Sequence, residues 1–240
     1  MAKTLRLDKL LSNMGYGTRK EIKSVVKKGW VLVNQQVVKD SSQHVDPSQD
    51  KIMVNGEELV YREYIYVMMN KPQGVISASF DPRVKTVVDL LPDEYQVYEP
   101  FPIGRLDKDT EGLLLLSNDG KLSHELLSPK KHIPKTYFAM IDGNVDEKDV
   151  ALFSEGVVLE DGYKTLPGQL RILKSGEQSE IELTIYEGKF HQVKRMFLAV
   201  GKTVTYLKRI SMGNLKLDES LELGDFRELT AEELEILRTR

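Results

Sequence analysis

The segment from Phe101 to Leu116 constrains the fold of this chain more than any other part of the sequence. Its last four residues, Leu113 to Leu116, are an uninterrupted apolar stretch that predicts a buried strand. A basic residue and a carboxylate, Arg105 and Asp107, stand two positions apart on the segment just before that strand. Loops held by a rigid element commonly carry function. The sequence therefore predicts a domain in which polar groups stand at the entrance to a buried strand.

The carboxylates of the same segment, Asp107, Asp109 and Glu111, leave two other interpretations open. An isolated D-x-D-x-E pattern is usually a solvated acidic turn. Oxygen ligands also suit Mg²⁺, so the three residues could serve a metal-dependent nuclease. The chain has four histidines and no cysteine, and the histidines lack the spacing of a zinc site. We therefore predict no metal centre and interpret His191, like the others, as a structural or surface residue.

Length and composition bound the class of protein. The 240 residues, 40% of them hydrophobic, can form one large domain, or one medium domain with a small one. No apolar stretch is long enough to cross a bilayer, and the first residues do not read as a secretory signal. Neither a P-loop nor a complete dinucleotide fingerprint is present, so we expect no nucleotide cofactor. These features are typical of a cytoplasmic protein.

Charge is distributed unevenly along the chain. Residues 1–39 contain nine Lys and Arg against two acidic residues, a net charge of +7, whereas the whole chain carries −3. The remaining 201 residues therefore carry −10. A basic segment on an acidic body is typical of a protein that meets a polyanion locally, and we expect RNA or DNA as that partner. A solvated, lysine-rich helix face is the alternative.

Two short helices followed by small strands are predicted for the first 60 residues. Apolar residues recur at helical spacing near the start, and Thr18 with Glu21 forms a capping box for the second helix. Apolar residues then predict strands at 31–33 and 52–54, and Asn55-Gly56 is typical of a hairpin turn. The basic residues on and around the second helix are Arg19, Lys20, Lys23, Lys27 and Lys28.

Three runs of this first segment carry a resemblance to a known module. They are RLDKLL at 6–11, GTRKEI at 17–22 and GWVLVN at 29–34. In these runs the segment resembles the small RNA-binding domain named after ribosomal protein S-four, also called the alpha-L motif. The resemblance implies that residues 1–60 form an RNA-binding domain whose second helix lies against the shape and phosphates of folded RNA. It makes candidate RNA contacts of Arg19, Lys20, Lys23 and Lys27.

Beyond a linker predicted at 57–63, strands and short helices alternate. Strands are predicted at 64–69, 113–116, 135–141, 170–173, 181–186 and 204–210. Helices are predicted at 87–91, 122–127, 146–153, 190–200 and after Thr230, which forms a second capping box with Glu233. We therefore predict an α+β fold. It combines the small N-terminal domain with a larger domain over 61–240, which has a central, mainly antiparallel mixed sheet and flanking helices.

Motifs spread along this larger domain carry a second resemblance. They are NKPxG at 70–74, GRLDxDTxGLL at 104–114, KTY at 135–137, GxxHQVKRM at 188–196 and VxxLxRIxxG at 204–213. In these motifs the chain resembles the RsuA-type ribosomal RNA pseudouridine synthases, and the small basic domain stands where that family has one. The two resemblances together cover nearly the whole chain. They imply an enzyme that isomerises uridine to pseudouridine without a cofactor.

The resemblance assigns the chemistry to three side chains. Asp107 matches the family's carboxylate, which acts as a nucleophile at the sugar or as a base on a neighbouring proton; the sequence leaves both open. Tyr137 matches a tyrosine whose ring can stack on uracil and whose hydroxyl can assist removal of the proton from the ring carbon. Lys194 matches a basic residue that pairs with the carboxylate and keeps it ionised, with Arg195 as the alternative partner.

Further motif positions are candidate contacts to the substrate RNA. Arg105 matches an arginine that contacts the RNA backbone and helps to hold the target nucleotide out of its stack. Leu207 matches an apolar residue that packs under the base or under the tyrosine. Arg195 and Arg209 complete these candidate contacts. The alternatives are structural: a surface ion pair between Arg105 and Asp107, and a core position for Leu207.

The predicted function is the isomerisation of one uridine in 16S ribosomal RNA within a partly assembled small subunit. Relatives that act on large-subunit RNA often carry a long basic tail, which this sequence does not show, and this favours the small-subunit RNA. A 23S target is the alternative within the family. Alternatives from other classes are a non-catalytic RNA-binding assembly factor, the nuclease described above, and a hydrolase that releases uracil. We expect a monomer with no cofactor and no membrane association.

Overall fold

The computed structural model describes residues 4–47 and 49–238, and within them the chain forms two compact units. None of the described helices is long and apolar enough to cross a membrane. The first unit comprises the described residues up to Ile65 together with Pro92–Glu99, and the second comprises Tyr66–Leu91 and the described residues from Pro100 onward.

The boundary between the units differs from the predicted one. The sequence placed it between residues 60 and 61, within a linker at 57–63. In the structure Glu57–Glu58 is a strand that pairs with Met53 and Val54, and Tyr61 packs against the core of the first unit. A polar composition therefore did not mark a linker here, because strand pairing and an aromatic contact keep this stretch in the first unit.

The first unit combines two adjacent helices with small antiparallel strands. Its elements are β1 (Leu5–Arg6), α1 (Leu7–Asn13), α2 (Arg19–Lys27), β2 (Val31–Val33), β3 (Gln36–Val37), β4 (His44–Val45), β5 (Ile52–Val54), β6 (Glu57–Glu58) and α3 (Asp93–Gln96). Strands β3-β2-β5-β6 form one sheet in that order, and β1 pairs with β4. Apolar residues of α1, α2 and the sheet form a buried core that includes Leu7, Leu10, Ile22, Val26 and Val31.

Local hydrogen bonds and one distant pairing set the helix starts in this unit. The Thr18 hydroxyl accepts a hydrogen bond from the backbone N–H of Glu21, whose carboxylate accepts one from the N–H of Thr18. The predicted capping box is therefore present. The predicted first helix begins only at Leu7, because Leu5–Arg6, although Leu5 belongs to the apolar pattern with helical spacing, is extended and pairs with His44–Val45. A local pattern of apolar residues could not reveal a pairing with a distant strand.

The second unit is built on one large sheet. Its elements are β7 (Tyr66–Lys71), β8 (Phe101–Ile103), β9 (Glu111–Ser117), α4 (Gly120–Leu127), β10 (Lys135–Asp142), α5 (Glu147–Glu155), β11 (Gln169–Lys174), β12 (Gln178–Ile185), α6 (Gln192–Ala199), β13 (Thr203–Met212), β14 (Leu215–Lys216), β15 (Phe226–Glu228) and α7 (Ala231–Arg238), with 3-10 turns at Val88–Leu90 and Pro129–Lys131. The sheet runs β11-β12-β10-β13-β9-β7-β15, with β14 beside β13 and β8 beside β9. Among the described strand pairs only β13 with β9 is parallel. The predicted α+β fold with a mainly antiparallel mixed sheet is confirmed.

Strand β9 is buried along its whole length. It pairs with β7 and β8, and in parallel with β13. A strand that is covered on both faces needs no polar alternation, which explains the unbroken apolar run Leu113 to Leu116. The prediction of a buried strand is confirmed here. The loop that precedes β9 begins at Gly104, at the edge of a cleft.

Some elements of the second unit differ from the prediction. Helix α6 begins at Gln192 rather than at 190, because His191 has a left-handed backbone (φ 47°) and stands at the N-cap. Strands β8 and β15 were not predicted. The first contains Pro102 and both are three residues long, so neither shows a strand pattern in the sequence. Both are strands only because they pair with a longer strand: β8 with β9, and β15 with β7.

An ion-pair cluster joins β15 to α7. Arg227 donates to Asp218 at 2.6 Å and to Glu233 at 2.7 Å. Hydrogen bonds from Ser220 and then from Arg227 lower the pKa of Asp218 to about 2. Because this pKa lies below the ordinary value of 3.8, the Asp218 carboxylate contributes stability above about pH 4. That contribution is lost as the pH falls from about 4 to about 2.

We therefore expect Asp218→Asn to lower the melting temperature near neutral pH, and the difference from wild type to shrink as the pH falls towards about 2. Thermal unfolding followed by circular dichroism over this pH range measures the difference. Glu219→Gln is the control, since it removes one negative charge from the exposed neighbouring position. A difference between Asp218→Asn and wild type that does not change with pH would contradict this account.

Candidate active site

A cleft of about 590 Å³ opens on the second unit. Four parts of the chain line it: β8 with the loop that follows it, the end of α4 with the turn after it, strands β10, β12 and β13, and the segment that leads into α6. The lining mixes apolar with charged side chains. The residues predicted from the sequence that line it are Arg105, Asp107, Tyr137, Leu207 and Arg209.

Two neighbouring strands supply the floor of the cleft. Tyr137 of β10 lies directly opposite Arg209 of β13. Because alternate residues of a strand face the same side, Lys135 shares the face of Tyr137, and Leu207 shares the face of Arg209. All four side chains line the cleft, and Tyr137, Leu207 and Arg209 are buried. The two-residue spacings K-x-Y and L-x-R in the sequence thus place these four side chains on the same face of the sheet.

A buried lysine fixes the loop that carries Asp107. Lys71 is fully buried, and its ammonium donates to the carbonyl oxygens of Pro72, Asp107 and Thr110 at 2.9, 3.1 and 2.9 Å. Burial lowers the pKa of Lys71 to about 8, against the opposing effect of nearby carboxylates. The loop backbone is therefore held from the inside of the protein, and the side chain of Asp107 is left to face the cleft.

One lysine lies between two carboxylates at this loop. Nζ of Lys194 is 3.5 Å from Oδ2 of Asp107 and 2.6 Å from Oδ1 of Asp109. The hydrogen bond from Lys194 lowers the pKa of Asp109. The side chain of Asp107 is 28% exposed and that of Asp109 is 67% exposed. Water therefore screens the contact of Lys194 with Asp107 less than its contact with Asp109. The structure thus brings Lys194 to Asp107, although its shortest hydrogen bond goes to Asp109.

Arg195, the other predicted partner, pairs elsewhere. Its guanidinium contacts Glu160 at 2.7 Å and Asp161 at 2.5 Å, and these hydrogen bonds raise its pKa. Successive residues of a helix point about 100° apart, so Lys194 and Arg195 cannot serve the same carboxylate in this position of α6. Lys194, and not Arg195, therefore lies near Asp107 in this structure.

His191 is a site residue that the sequence interpretation missed. Its Nε2 lies 3.6 Å from Oδ1 of Asp107, and its ring stacks on that of Phe190 with centroids 3.8 Å apart. Its left-handed backbone is uncommon outside glycine, and such conformations concentrate at functional sites. The signal in the sequence was an aromatic-histidine pair directly before a basic helix. The lack of metal-binding spacing led us to interpret it as a structural or surface residue instead.

Arg105 lies exposed at the rim of the cleft. The structural alternative for this residue was a surface ion pair with Asp107. Among the described residues the ion-pair partners of Asp107 are Lys194 and His191, and Arg105 is not one of them. The guanidinium of Arg105 is therefore available to a ligand that enters the cleft.

The carboxylates of the loop do not converge on one point. Asp107 and Asp109 face Lys194, whereas Glu111 is buried in β9 and accepts a hydrogen bond of 2.6 Å from the hydroxyl of Tyr206. In the part of the chain that the structure describes, no group of three acidic or histidine side chains is placed to hold a metal ion. The geometry therefore gives no support to the nuclease interpretation.

The four basic residues of the first unit that the sequence predicts as RNA contacts lie on α2. Ile22 and Val26 turn towards the core, so the opposite face of this helix is left to solvent. Next to it, the ammonium of Lys28 lies 4.8 Å from the ring centroid of Trp30, which is 49% exposed. An exposed aromatic ring beside a row of cations is typical of a surface that binds nucleic acid. The predicted contacts that lie exposed on α2 are Arg19, Lys20, Lys23 and Lys27.

Replacing Lys71 by methionine is expected to lower the free energy of unfolding by about 2–3 kcal/mol. The three carbonyls that accept its hydrogen bonds would stay buried without their donor. Urea unfolding followed by circular dichroism measures the change. The control is Lys121→Met, which removes an exposed lysine of α4. Equal stability of the two variants would contradict the anchoring role of Lys71.

Models of two known protein families match the chain. A model of RNA pseudouridylate synthases matches residues 65–199, and a model of the S4 domain matches residues 5–51. A crystal structure of a pseudouridylate synthase is 37% identical in sequence and superposes with a TM-score of 0.68, covering 97% of this chain and 99% of the other.

Curated relatives match nearly the whole chain. The "Uncharacterized RNA pseudouridine synthase YtzG" of Bacillus subtilis is 55% identical over 234 residues, covering 97% of this chain and 98% of that protein. "Ribosomal small subunit pseudouridine synthase A" of Vibrio vulnificus is 41% identical over 232 residues, covering 96% and 98%. "Ribosomal large subunit pseudouridine synthase B" of Bacillus subtilis is 41% identical over 237 residues, covering 97% and 95%.

Proposed function

The chain belongs to the RNA pseudouridylate synthase family, and from this premise we propose that it isomerises one uridine of ribosomal RNA in the cleft around Asp107. The observation that supports this assignment is that Asp107 and Tyr137 line the same cleft, while Nζ of Lys194 lies 3.5 Å from Oδ2 of Asp107. Each supplies a different chemical group: a carboxylate, a phenol on an aromatic ring, and a cation. The reaction needs all three kinds.

The isomerisation exchanges one bond for another. The bond between C1′ of the ribose and N1 of uracil breaks, and a bond between C1′ and C5 forms. The proton that leaves C5 is balanced by the proton that N1 gains, so no atom is added and no oxidation occurs. The detached uracil has to turn before it bonds again. The site must therefore hold the base beside the sugar and keep water away from C1′.

Asp107 is proposed to open the reaction. Its carboxylate either attacks C1′ or removes the proton from C2′, and both routes start from the same ionised side chain. The carboxylate is partly shielded from water, and the ammonium of Lys194 balances its charge at 3.5 Å. The hydrogen bonds of Lys71 hold the backbone of the loop, which keeps the carboxylate at a fixed place relative to the floor.

Tyr137 is proposed to hold the base and to help with the proton at C5. Its side chain is 8% exposed and forms part of the cleft floor, where a planar base can stack on it. Leu207 lies on the neighbouring strand and widens the apolar surface under the base. The hydroxyl on the same ring can assist removal of the proton from C5 by passing on its own proton as it receives the departing one.

Arg105 is proposed to take part in extruding the target nucleotide. A base inside an RNA helix cannot reach the cleft floor, and pulling it out of the stack costs a few kcal/mol. An exposed guanidinium at the rim can bind the phosphate backbone at that position, because its donors match phosphate oxygens in pairs. The other rim residues, His191 and Phe190, add a stacked aromatic surface beside it.

The first unit is proposed to add binding energy for RNA through α2. We expect the double variant Lys23→Gln/Lys27→Gln to weaken RNA binding. The slope of log K against the logarithm of the salt concentration should also become less steep, by roughly one unit for each phosphate that the protein no longer binds. Filter binding at several salt concentrations measures both quantities. Lys51→Gln is the control, because Lys51 is an exposed lysine of the same unit outside α2. Identical salt slopes for the double variant and the wild type would contradict the proposal.

The small-subunit RNA is our proposed substrate. Relatives named as small-subunit enzymes from several Vibrio species and Haemophilus influenzae share 38–41% of their residues with this chain. The second candidate is 23S RNA, and the observation that favours it is the equal identity of the large-subunit relative from Bacillus subtilis. One experiment separates an isomerase acting on either RNA from a hydrolase and from a binding factor without activity.

Tritium release from RNA labelled at C5 of uridine is that experiment. Transcripts of 16S and 23S RNA and partly assembled particles of each subunit are incubated with the full chain, in the presence of EDTA. Release from 16S RNA or its particles supports the proposal, and release from 23S RNA alone moves the substrate to the large subunit. No release from any of these RNAs would contradict the proposed function.

A further inference from the structure

Two cations lie side by side on the floor of the cleft. Lys135 and Arg209 both line it, on the adjacent strands β10 and β13. They are close enough for the charge of Arg209 to add to the effect of burial, which lowers the pKa of Lys135 to about 8. Among the described residues neither side chain forms an ion pair with a carboxylate. Two like charges that are withdrawn from water without a counter-ion are unfavourable for the free protein.

The carboxylates of the cleft are engaged by other groups. Asp107 faces Lys194 and His191. Glu187 accepts hydrogen bonds from the hydroxyl of Tyr163 at 2.7 Å and from the side-chain amide of Gln192 at 2.9 Å. Among the described residues, neither carboxylate forms an ion pair with Lys135 or Arg209.

Both cations keep unused hydrogen-bond donors. Arg209 is 2% exposed, and its Nε donates to the carbonyl of Leu113 at 2.8 Å, whereas its Nη2 has no partner. Nζ of Lys135 donates to the carbonyl of Ile133 at 2.9 Å and has further N–H groups to give. Buried donors are nearly always paired in folded proteins, so an unpaired one at a cleft indicates a place for a ligand.

We propose that Lys135 and Arg209 form a subsite for an oxyanion, and that this oxyanion is a phosphate group next to the target uridine. The inference rests on the proposed function, since it takes RNA as the ligand. Uracil and ribose are neutral, so the phosphate is the group of the substrate that carries charge. Ammonium and guanidinium groups both make charge-assisted hydrogen bonds to its oxygens.

The position of the subsite fits this ligand. Lys135 stands two residues from Tyr137 on the same strand face, about 7 Å along the strand, and Arg209 stands directly across from Tyr137. A phosphate bound there would lie beside the ring on which the base is proposed to stack. It would fix the sugar between the floor and Asp107, which is the positioning that the bond exchange at C1′ requires.

Binding of small nucleotides to the full chain tests the subsite without any isomerisation. Uridine, uridine 3′-monophosphate and uridine 5′-monophosphate are titrated at low salt, and their dissociation constants are measured by NMR. We expect one of the monophosphates to bind about tenfold more tightly than uridine. We expect Lys135→Met to remove most of that preference, and Lys135→Arg to keep it. Lys121→Met is the control for a lysine outside the cleft and should bind as wild type does.

The folding of the variants is checked by thermal unfolding. Lys135→Met should melt close to wild type, because removal of a half-buried charge beside another cation offsets the loss of the hydrogen bond to the carbonyl of Ile133. Equal affinity of wild type for uridine and both monophosphates would overturn the subsite, and this result depends on no variant. A phosphate preference that Lys135→Met retains in full would overturn it as well.

The failure of this inference is distinguishable from the failure of the proposed function. Tritium release from ribosomal RNA by a wild type that shows no phosphate preference would remove the subsite and keep the isomerase. A phosphate preference that depends on Lys135, in a wild type that releases no tritium, would keep the anion subsite and remove the isomerase.

Discussion

Asp107→Asn is expected to slow the formation of pseudouridine at least about a thousandfold. Asparagine keeps the size of the side chain but is neither a nucleophile nor a base at neutral pH. The loop should keep its place, because Lys71 binds the backbone carbonyl of residue 107 and not its side chain. The affinity for RNA should change by less than about threefold, since the variant removes a negative charge and no contact to a phosphate.

Single-turnover tritium release and RNA binding, measured on the same preparations, separate these effects. Asp109→Asn is the matched control: it is the same substitution two residues away, at a side chain that is 67% exposed and also pairs with Lys194. It should keep the rate within about tenfold of wild type, as expected for an exposed ion pair. A rate for Asp107→Asn close to that of Asp109→Asn would contradict the role of Asp107.

Gly112→Ala is expected to lower the free energy of unfolding by at least about 4 kcal/mol, or to prevent folding of the second unit. Gly112 has a φ of +101°, a region that side chains with a Cβ rarely enter. A Cβ at this position would also overlap the carbonyl oxygen of Arg209 and lie 2.8 Å from its nitrogen. Both are backbone atoms of the parallel pairing between β9 and β13, so they cannot move without separating the strands.

The effect of Gly112→Ala is read by chemical unfolding, or by the yield of folded protein where the variant does not fold. Gly120→Ala is its control. Gly120 is the first residue of α4, its φ is not left-handed, and nothing lies within 4 Å of an added Cβ. Alanine there should change the stability by less than about 1 kcal/mol. Wild-type stability of Gly112→Ala would show that the approach of β9 to β13 is not tight.

Short-range patterns in the sequence predicted much of this fold. The apolar run of β9 indicated a buried strand, and the capping boxes at Thr18 and Thr230 marked the starts of α2 and α7. Such features depend on neighbours within a few residues, so a single sequence contains them. The family assignment and the predicted enzyme class are confirmed by the matched family models and relatives.

Features that depend on contacts between distant parts of the chain could not be predicted from the sequence. The return of Pro92–Glu99 to the first unit and the pairing of Leu5–Arg6 with His44–Val45 both join segments that are far apart in the sequence. The same limit applies to the site. No local pattern shows that Lys71 binds the carbonyl of Asp107, or that His191 approaches its carboxylate.

The spacing of charged residues on α6 also left a choice that only the structure could narrow. Lys194 and Arg195 are adjacent cations, and the sequence allows either to face a carboxylate. The rotation of the helix turns Arg195 to Glu160 and Asp161 and leaves Lys194 beside Asp107. Helix rotation is fixed by packing against the sheet, where Val193, Met196 and Phe197 are buried, and not by the charged residues themselves.

The most direct test of the central claim is to follow the isotope at C5 through the reaction and identify the product. Ribosomal RNA deuterated at C5 of uridine is prepared from cells that lack the protein, treated with wild type or with Asp107→Asn, and analysed as fragments by mass spectrometry. The account predicts one fragment in which deuterium is exchanged for hydrogen and uridine is replaced by pseudouridine, with wild type only. No such fragment in 16S or 23S RNA, or the release of free uracil, would contradict it.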